Sequence, residues 1–364
     1  MKYTAGKNTL LIYLEDRITS ENANGIKEEL VKAVEDNKDL NVVFDAQNLK
    51  YISSAGLRVL LKVRRMKDKN LEIRNVSDEV FEVFSVTNFS DLFDISRPLR
   101  AIYLKHAPLT FRGMNGDIYR LDNDTMVKVF NRGIPLGEVK KERENTHKAL
   151  VCGVPTLIPY DVVTVGGSYG IVYESAGCTT LVATLTHNPN KLEAYAKRFA
   201  AFMRNLHKIT IKDEFPGVKE RYAQWLEKAG PMLTDEERNS LDNIVNAIPD
   251  RNTYIHGFIT PGNVIVNGNE FLLMDMAGSA SGHPIVDIQG LYSSLVEIER
   301  ERPMYCSSTF GVSGEICSKF WDVFFPAYMA GRTESELSRV KGFLGDYYTL
   351  KKKLMAVMED MEKR

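Results

Sequence analysis

The stretch Tyr254-Ile-His-Gly-Phe-Ile-Thr-Pro-Gly-Asn263 bears most directly on what chemistry this 364-residue chain can do. A histidine, an aspartate two positions on and an asparagine five beyond that form the spacing of a phosphoryl-transfer loop. The aspartate takes the proton from the attacking hydroxyl, and the asparagine holds magnesium. His256 and Asn263 keep that spacing, but Phe258 stands where the aspartate belongs. A benzyl side chain neither accepts a proton nor orients a hydroxyl. Downstream, Phe271-Leu-Leu-Met-Asp275 reads as an apolar strand ending in a carboxylate. Asp275 follows Asn263 by twelve residues, the length in which a β-hairpin brings both side chains to one magnesium ion. Upstream, Lys128 stands alone among the strand hydrophobics of Thr125-Met-Val-Lys-Val-Phe130, as a phosphate-binding lysine does.

The neighbouring elements must position these groups. Phe111 to Arg120 and Thr125 to Phe130 read as a strand–turn–strand hairpin. Its Gly113 and Gly116 either let backbone approach a phosphate or simply make the turn. The charged helix from Glu138 to Leu150 offers Glu142 or Glu144 as the ion-pair partner of Lys128; spacing does not decide, and Glu142 is preferred. Gly170 to Ala176 is an apolar strand ending in a polar turn. By its place in the order, Glu174 and Ala176 fall where a hinge would read adenine through backbone groups. Leu192, Tyr195, Phe199, Phe202, Met203 and Leu206 form a helical stripe, read as core, that ends at His207.

The ordered series resembles the aminoglycoside/choline phosphotransferase branch of the protein-kinase-like fold over roughly residues 110–330. In that family the loop reads His-Gly-Asp-x-x-Pro-x-Asn, and a Gly-His/Asp-Pro-x-x-Asp motif follows the metal aspartate. This chain matches at His256, Gly257, Pro261, Asn263, Asp275, Pro284 and Asp287. The resemblance implies a bilobal α+β fold and binding of ATP, or another nucleoside triphosphate, with Mg2+ held by Asn263 and Asp275. It also implies that His256 orients the loop and that Asp287 supports it.

Residues 1–95 alternate short β-type runs with amphipathic helices, which implies an α/β layer fold. Thr9–Leu14, Asn41–Asp45 and Leu71–Arg74 read as strands. Ile26, Leu30 and Val34 mark one helix, with Thr19 and Ser20 as caps; Leu57, Leu60 and Leu61 mark a second, and Val80, Val83 and Phe84 a third. Tyr51-Ile-Ser-Ser-Ala-Gly-Leu then resembles the Asp-Ser-Ser/Thr-Gly-Leu signature of STAS domains, the fold of bacterial anti-sigma-factor antagonists. Aligning Gly56 and Leu57 puts Ser54 on that family's phosphorylated serine, while Ser53 replaces its aspartate. A phosphate at a helix N-terminus meets unpaired N–H groups and the positive end of the dipole. Phosphorylation would add about two negative charges to a partner-binding surface. The competing reading makes Ser53 or Ser54 an N-cap and nothing more.

The length fits two domains, assigned as a STAS domain at 1–97, a connector at 98–109 and a kinase-like domain at 110–364. The kinase-like domain divides into a small lobe of about 110–176 and a helical lobe of about 177–364. A formal net charge of −1 argues against a dedicated nucleic-acid binder. Cys152, Cys178, Cys306 and Cys317 have neither zinc-ligand nor disulfide-framework spacing, which fits a reducing cytosol. With no signal-peptide pattern and no apolar run of ~18 residues, the expectation is a cytoplasmic protein away from membranes. Phe343, Tyr347, Leu350 and Leu354 mark a final amphipathic helix, a cap on the helical lobe or a dimer contact.

Three functional readings follow. In the first, a STAS module binding an anti-sigma factor or similar partner is coupled to a nucleotide-binding pseudokinase. In the second, the protein is an active ATP-dependent phosphotransferase acting on a small hydroxylated or amino compound. In the third, the kinase-like domain phosphorylates its own Ser54.

Overall fold

The computed structural model describes residues 2–362 apart from 68–70, 106, 114 and 176–178; at 350, 355 and from 357 onward it describes backbone alone. The chain divides into two units, Met1–Arg100 and Ala101–Arg364.

In the first unit the elements run β1 (Lys2–Ala5), β2 (Thr9–Tyr13), β3 (Arg17–Ile18), α1 (Ala23–Glu35), β4 (Asn41–Asp45), β5 (Tyr51–Ile52), α2 (Ser54–Arg64), β6 (Leu71–Arg74), α3 (Asp78–Val86) and β7 (Phe93–Ile95). The main sheet has the order β1-β2-β4-β6-β7. Its β1–β2 pair is antiparallel and the other three pairs are parallel. β3 and β5 form a separate parallel pair. Helical spacing puts Ile26, Leu30 and Val34 of α1 and Leu57, Leu60 and Val63 of α2 into one core with the strands. Val80 and Phe84 of α3 are buried as expected, but Val83 is exposed; in α2 Leu61 is only half-buried and Val63 takes a core position instead. Phe84, Phe89 and Phe93 stack in series with centroids 5.5 and 5.3 Å apart. The cap of α1 is Asn22 rather than Thr19 or Ser20; Thr19 donates its backbone N–H to the Asn22 Oδ1 at 2.8 Å.

The second unit opens with a six-stranded sheet. β8 (Arg100–Ile102), β9 (Leu109–Arg112), β10 (Gly116–Arg120), β11 (Thr125–Phe130), β12 (Pro159–Val165) and β13 (Ser168–Glu174) lie in the order β8-β12-β13-β11-β10-β9. The stretch 98–109, read from sequence as a connector, therefore holds an edge strand and the start of another. One helix, α4 (Leu136–Val151), belongs to this lobe. It buries Val139, Glu142, Thr146 and Ala149, a 3–4 spacing that turns a carboxylate inward with the apolar face.

The remaining residues build a helical lobe from α5 (Leu181–His187), α6 (Leu192–Leu206), α7 (Val218–Ala229), α8 (Asp235–Ala247), α9 (Ile285–Tyr292), α10 (Ile298–Glu301), α11 (Tyr305–Phe310), α12 (Gly314–Tyr328) and α13 (Glu334–Glu362). Two small sheets carry its chemistry. β14 (Thr179–Thr180) pairs with β16 (Val264–Asn267), which forms a hairpin with β17 (Glu270–Leu273), and β15 (Thr253–Ile255) pairs with β18 (Ala280–Gly282). Phe199 of α6 packs on Phe271, Phe320 and Phe324, so the aromatic stripe of α6 is core. Among the described residues no helix is long and apolar enough to cross a membrane.

Candidate functional site

Lys128 projects from β11 into a corner between two carboxylates and is 2 % exposed. Its Nζ donates to the Glu142 Oε1 at 2.7 Å and also to the Asp275 Oδ1. Glu144 faces solvent and pairs with Lys148 instead. Burial pushes the Lys128 pKa down, but Asp275 and Glu142 outweigh it and hold it above the usual lysine value. Burial dominates at Glu142, and Asp275 adds to it; together they overcome Lys128 and push the carboxyl up to about 7. Helix α4 is tied to the same corner a turn later, where the Asn145 Nδ2 donates to the Met276 carbonyl at 3.2 Å.

Asp275 sits at the end of the β16–β17 hairpin with φ of 66°, a left-handed conformation sparsely populated by residues other than glycine. The turn that follows is clamped by Arg221, whose Nη1 and Nη2 donate to the carbonyls of Gly278 and Ser279 at 2.8 and 2.7 Å.

The loop from His256 to Asn263 is fixed from below by Asp287, which is fully buried. Its Oδ1 accepts from the Gly257 N–H at 2.7 Å, and its Oδ2 accepts from the His256 N–H at 2.8 Å and faces the His207 Nε2 at 3.2 Å. Burial pushes the Asp287 carboxyl up, but His207, His256 and these amides outweigh it and hold its pKa below the ordinary carboxylate value. His256 ties the loop to the Asp275 turn, its Nε2 lying 2.8 Å from the Met274 carbonyl. Gly257 has φ of +81°, and a Cβ there would lie 2.1 Å from the Gly278 carbonyl oxygen. Only glycine lets these two segments approach so closely.

Asn263 is 4 % exposed, and its side chain closes the loop on itself. Its Nδ2 donates to the Phe258 carbonyl and its Oδ1 accepts from the Thr260 N–H, both at 2.8 Å. Oδ1 keeps a second lone pair for a cation. With both carboxylates ionised, one lysine against Glu142 and Asp275 leaves this corner one negative charge in excess. A divalent ion on Asp275 and Asn263 would reverse that balance and favour phosphate oxygens. Magnesium is usually held by one or two carboxylates together with phosphates and water, so this donor set fits it. Among the described residues no cluster of three or more His, Cys, Asp or Glu side chains could hold a metal by itself.

Phe258 is half-buried, and its ring is covered by a residue that sequence reasoning missed. Lys351 of α13 places its Nζ 5.2 Å from the ring centroid. Burial lowers the Lys351 pKa to about 8, with Arg221 contributing and Asp287 opposing. No local signal marks Lys351, which is one of three consecutive lysines. Helical spacing from the buried Tyr347 and Leu354 sets the orientation of this stretch of α13.

The glycines and the hinge read differently in three dimensions. A Cβ on Gly116 would lie 2.2 Å from the Val129 carbonyl oxygen, and one on Gly113 would lie 2.8 Å from the Gly116 carbonyl oxygen. Both glycines thus serve the close pairing of the hairpin. Glu174 donates its backbone N–H to Ile158, and its Oε1 accepts from the Ile158 N–H; the Ser175 N–H goes to Asp124. A backbone donor for adenine would have to come from beyond Ser175. Ala176 lies outside the described residues.

In the first unit, Ser53 is the N-cap of α2, its Oγ accepting from the Gly56 N–H at 3.3 Å. Serine and aspartate are both strong N-caps, so the replacement at position 53 preserves the helix start. Ser54 is the first residue of the helix and is exposed. A Cβ on Gly56 would lie 2.7 Å from both Ile18 and Ile52, so the glycine lets α2 seat on the β3–β5 pair. Beside it, Arg17 covers the exposed Tyr51 ring at 4.7 Å.

The STAS domain model matches residues 2–102. A Bordetella bronchiseptica protein described as an anti-sigma factor antagonist (BtrV) is 35 % identical over 106 residues, covering 28 % of this chain and 90 % of that protein. Among solved structures, a choline/ethanolamine kinase family protein from Mesorhizobium loti aligns over 71 % of this chain and 80 % of its own, at 15 % identity and a TM-score of 0.47. The aminoglycoside phosphotransferase APH(2'')-IIa, in its ternary complex with streptomycin and ATP, aligns over 76 % and 90 %, at 17 % identity and a TM-score of 0.44. These likenesses are loose, and the character of the second unit rests on its own sheet, its Lys128–Glu142 pair and its Asp287-held loop. Through residues 2–102 the chain belongs to the STAS domain family.

Proposed function

We propose that this protein is a signalling regulator in which a STAS partner-binding module is coupled to a nucleotide-binding pseudokinase. The observation that carries the reading is Phe258. The loop around it keeps the supports a catalytic loop needs, Asp287 and His256, yet its base position holds a ring capped by Lys351. On the nucleotide side, Lys128 would neutralise phosphate charge, and Asp275 and Asn263 would hold Mg2+; bound magnesium supplies charge neutralisation between phosphates. On the acceptor side the loop presents the Phe258 ring where a carboxylate would receive the hydroxyl proton. Nucleotide binding without turnover is the consequence. The exposed Ser54 at the start of α2 supports a phosphoswitch, since a phosphate there would gain from the helix N-terminus and change the charge of the face around Tyr51.

Calorimetric titration of Mg-ATP into the full chain, paired with an ATP-hydrolysis assay, tests this. Saturable binding that Lys128→Met and Asp275→Asn each weaken, with no phosphate released, is expected. ATP consumption by the native protein that Asp275→Asn abolishes would restore the phosphotransferase reading. Phosphate appearing on Ser54 after incubation with Mg-ATP, detected by mass spectrometry, would restore self-phosphorylation.

A further inference from the structure

The helical lobe contains a half-open cavity of about 750 Å3, within the range of small-molecule sites. Five basic side chains line it, Arg204, Lys208, Arg251, Arg332 and Arg339, against one carboxylate among the described residues, Glu336. That carboxylate is already engaged. It accepts from the Thr333 N–H and Oγ1 at 2.8 and 3.1 Å in a capping arrangement at the start of α13, and it pairs with Arg332 at 3.4 Å. Arg204 and Lys208 have an ordinary explanation, since they flank the C-terminal end of α6, where cations complement the helix dipole. Arg251 and Arg339 have none. They come from the segment before β15 and from α13, and among the described residues neither makes a hydrogen bond or an ion pair.

Solvated surface arginines are common, but here two converge with three further cations on one recess. The recess also has an apolar floor of Ile285, Ile288, Val340 and Phe343. On its wall the His283 Nδ1 accepts from the Ile285 N–H at 3.1 Å, which leaves Nε2–H as a further donor. Burial, with Arg251 and His207 beside it, lowers the His283 pKa to about 4. The ring is therefore neutral at pH 7 and adds a donor rather than a charge.

We infer that this cavity is a binding site for a small phosphate monoester, its phosphate held by Arg251 and Arg339 and its apolar body resting on Ile288 and Phe343. Guanidinium forks suit a compact dianion with several acceptor oxygens. The recess is separate in composition from the Lys128–Asp275 corner, so this inference does not depend on nucleotide binding there. Two of its lining residues do touch the loop's support: His207 faces Asp287, and Ile288 follows it in α9. An occupant would thus bear on the residue that fixes Gly257.

The test is calorimetric titration of the full chain with phenyl phosphate and, in parallel, inorganic phosphate. Saturable binding of phenyl phosphate is expected, with Arg251→Ala and Arg339→Ala each weakening it about tenfold and Lys128→Met leaving it unchanged. Inorganic phosphate should bind about fivefold or more weakly, for want of the apolar body. Both arginines are exposed, so circular dichroism of the variants should match the native chain. Absence of saturable binding up to about 10 mM, far weaker than a dianion between paired arginines warrants, would overturn the proposal. Insensitivity to both arginine variants, loss of binding in Lys128→Met, or equal affinity for the two ligands would also overturn it.

Discussion

On the proposed function, restoring an aspartate at position 258 should yield a weak ATP hydrolase, and the size of the gain depends on Lys351. A general base contributes about 10²- to 10⁴-fold in rate. The Lys351 Nζ, however, lies 5.2 Å from the present ring centroid, so a carboxylate introduced there gains a cation within ion-pairing range. At about 5 Å and an effective dielectric of about 20, the attraction is about 3 kcal/mol. Lys351 is only half-buried, and solvent screening brings the working value nearer to about 1 kcal/mol. That attraction lowers the basicity of the new carboxylate and blunts its catalytic gain by up to about fivefold. Phe258→Asp alone should therefore raise phosphate release from Mg-ATP only at the low end of the base's range. The double variant Phe258→Asp/Lys351→Met should gain up to about five times more, with Mg-ATP affinity nearly unchanged in both. Coupled-enzyme detection of ADP beside calorimetric titration reads both quantities on the same preparations. Native turnover equal to that of the double variant would refute the reasoning, because Phe258 would then be no barrier. Equal gains in the single and double variants would refute the part assigned to Lys351.

Three further outcomes follow from the loop's supports and the Lys128 corner. Asp287→Asn should destabilise the second unit by about 2–4 kcal/mol in thermal melts, because an amide cannot accept from His256, Gly257 and His207 together. The Asp287 pKa is lowered on folding, so its contribution is present above the ordinary carboxylate value of 3.8 and is lost as pH falls through the folded value; the variant should lack that acid-side loss. Gly257→Ala should cost about 2–3 kcal/mol in the same melts, combining a left-handed φ with a Cβ driven into Gly278. The Glu142 pKa is raised, so its contribution is full below 4.5 and is lost as pH rises through about 7. The native second unit should lose stability between pH 5 and pH 8, and Glu142→Gln should flatten that slope.

Legibility in the sequence followed the range of the interactions. Ser53 and Gly56 sit within one turn of each other, and cap chemistry acts over such distances, so a helix start at Ser53 or Ser54 was legible and the structure makes Ser53 the cap. The β16–β17 hairpin was legible because the apolar run Phe271–Met274 ends in Asp275 at a hairpin's distance from Asn263. Gly113 and Gly116 were harder, since a glycine needed for strand pairing and one needed for a ligand look alike in one dimension. The connector failed as a reading because Arg100–Ile102 is an edge strand too short for a periodic signal. Lys351 and the Arg251–Arg339 recess were invisible for a different reason. Their partners are 93 and 88 residues away in sequence, from Lys351 to Phe258 and from Arg339 to Arg251, and only packing of α13 brings them together.

That packing bears on why a loop without a base would be kept so well supported. Asp287 and His256 do not touch the acceptor; they hold backbone, and through Met274 they hold the turn that aims Asp275 at Lys128. The geometry of the nucleotide corner thus depends on the loop's supports but not on the side chain at position 258. Removing the base loses proton transfer alone, whereas removing Asp287 or Gly257 would disturb the corner itself. A chain that needs the corner for binding, and not for transfer, must keep the supports and is free to vary position 258. On the proposed function, Phe258 under Lys351, above an intact Asp287 clamp, is the arrangement that such a requirement would leave behind.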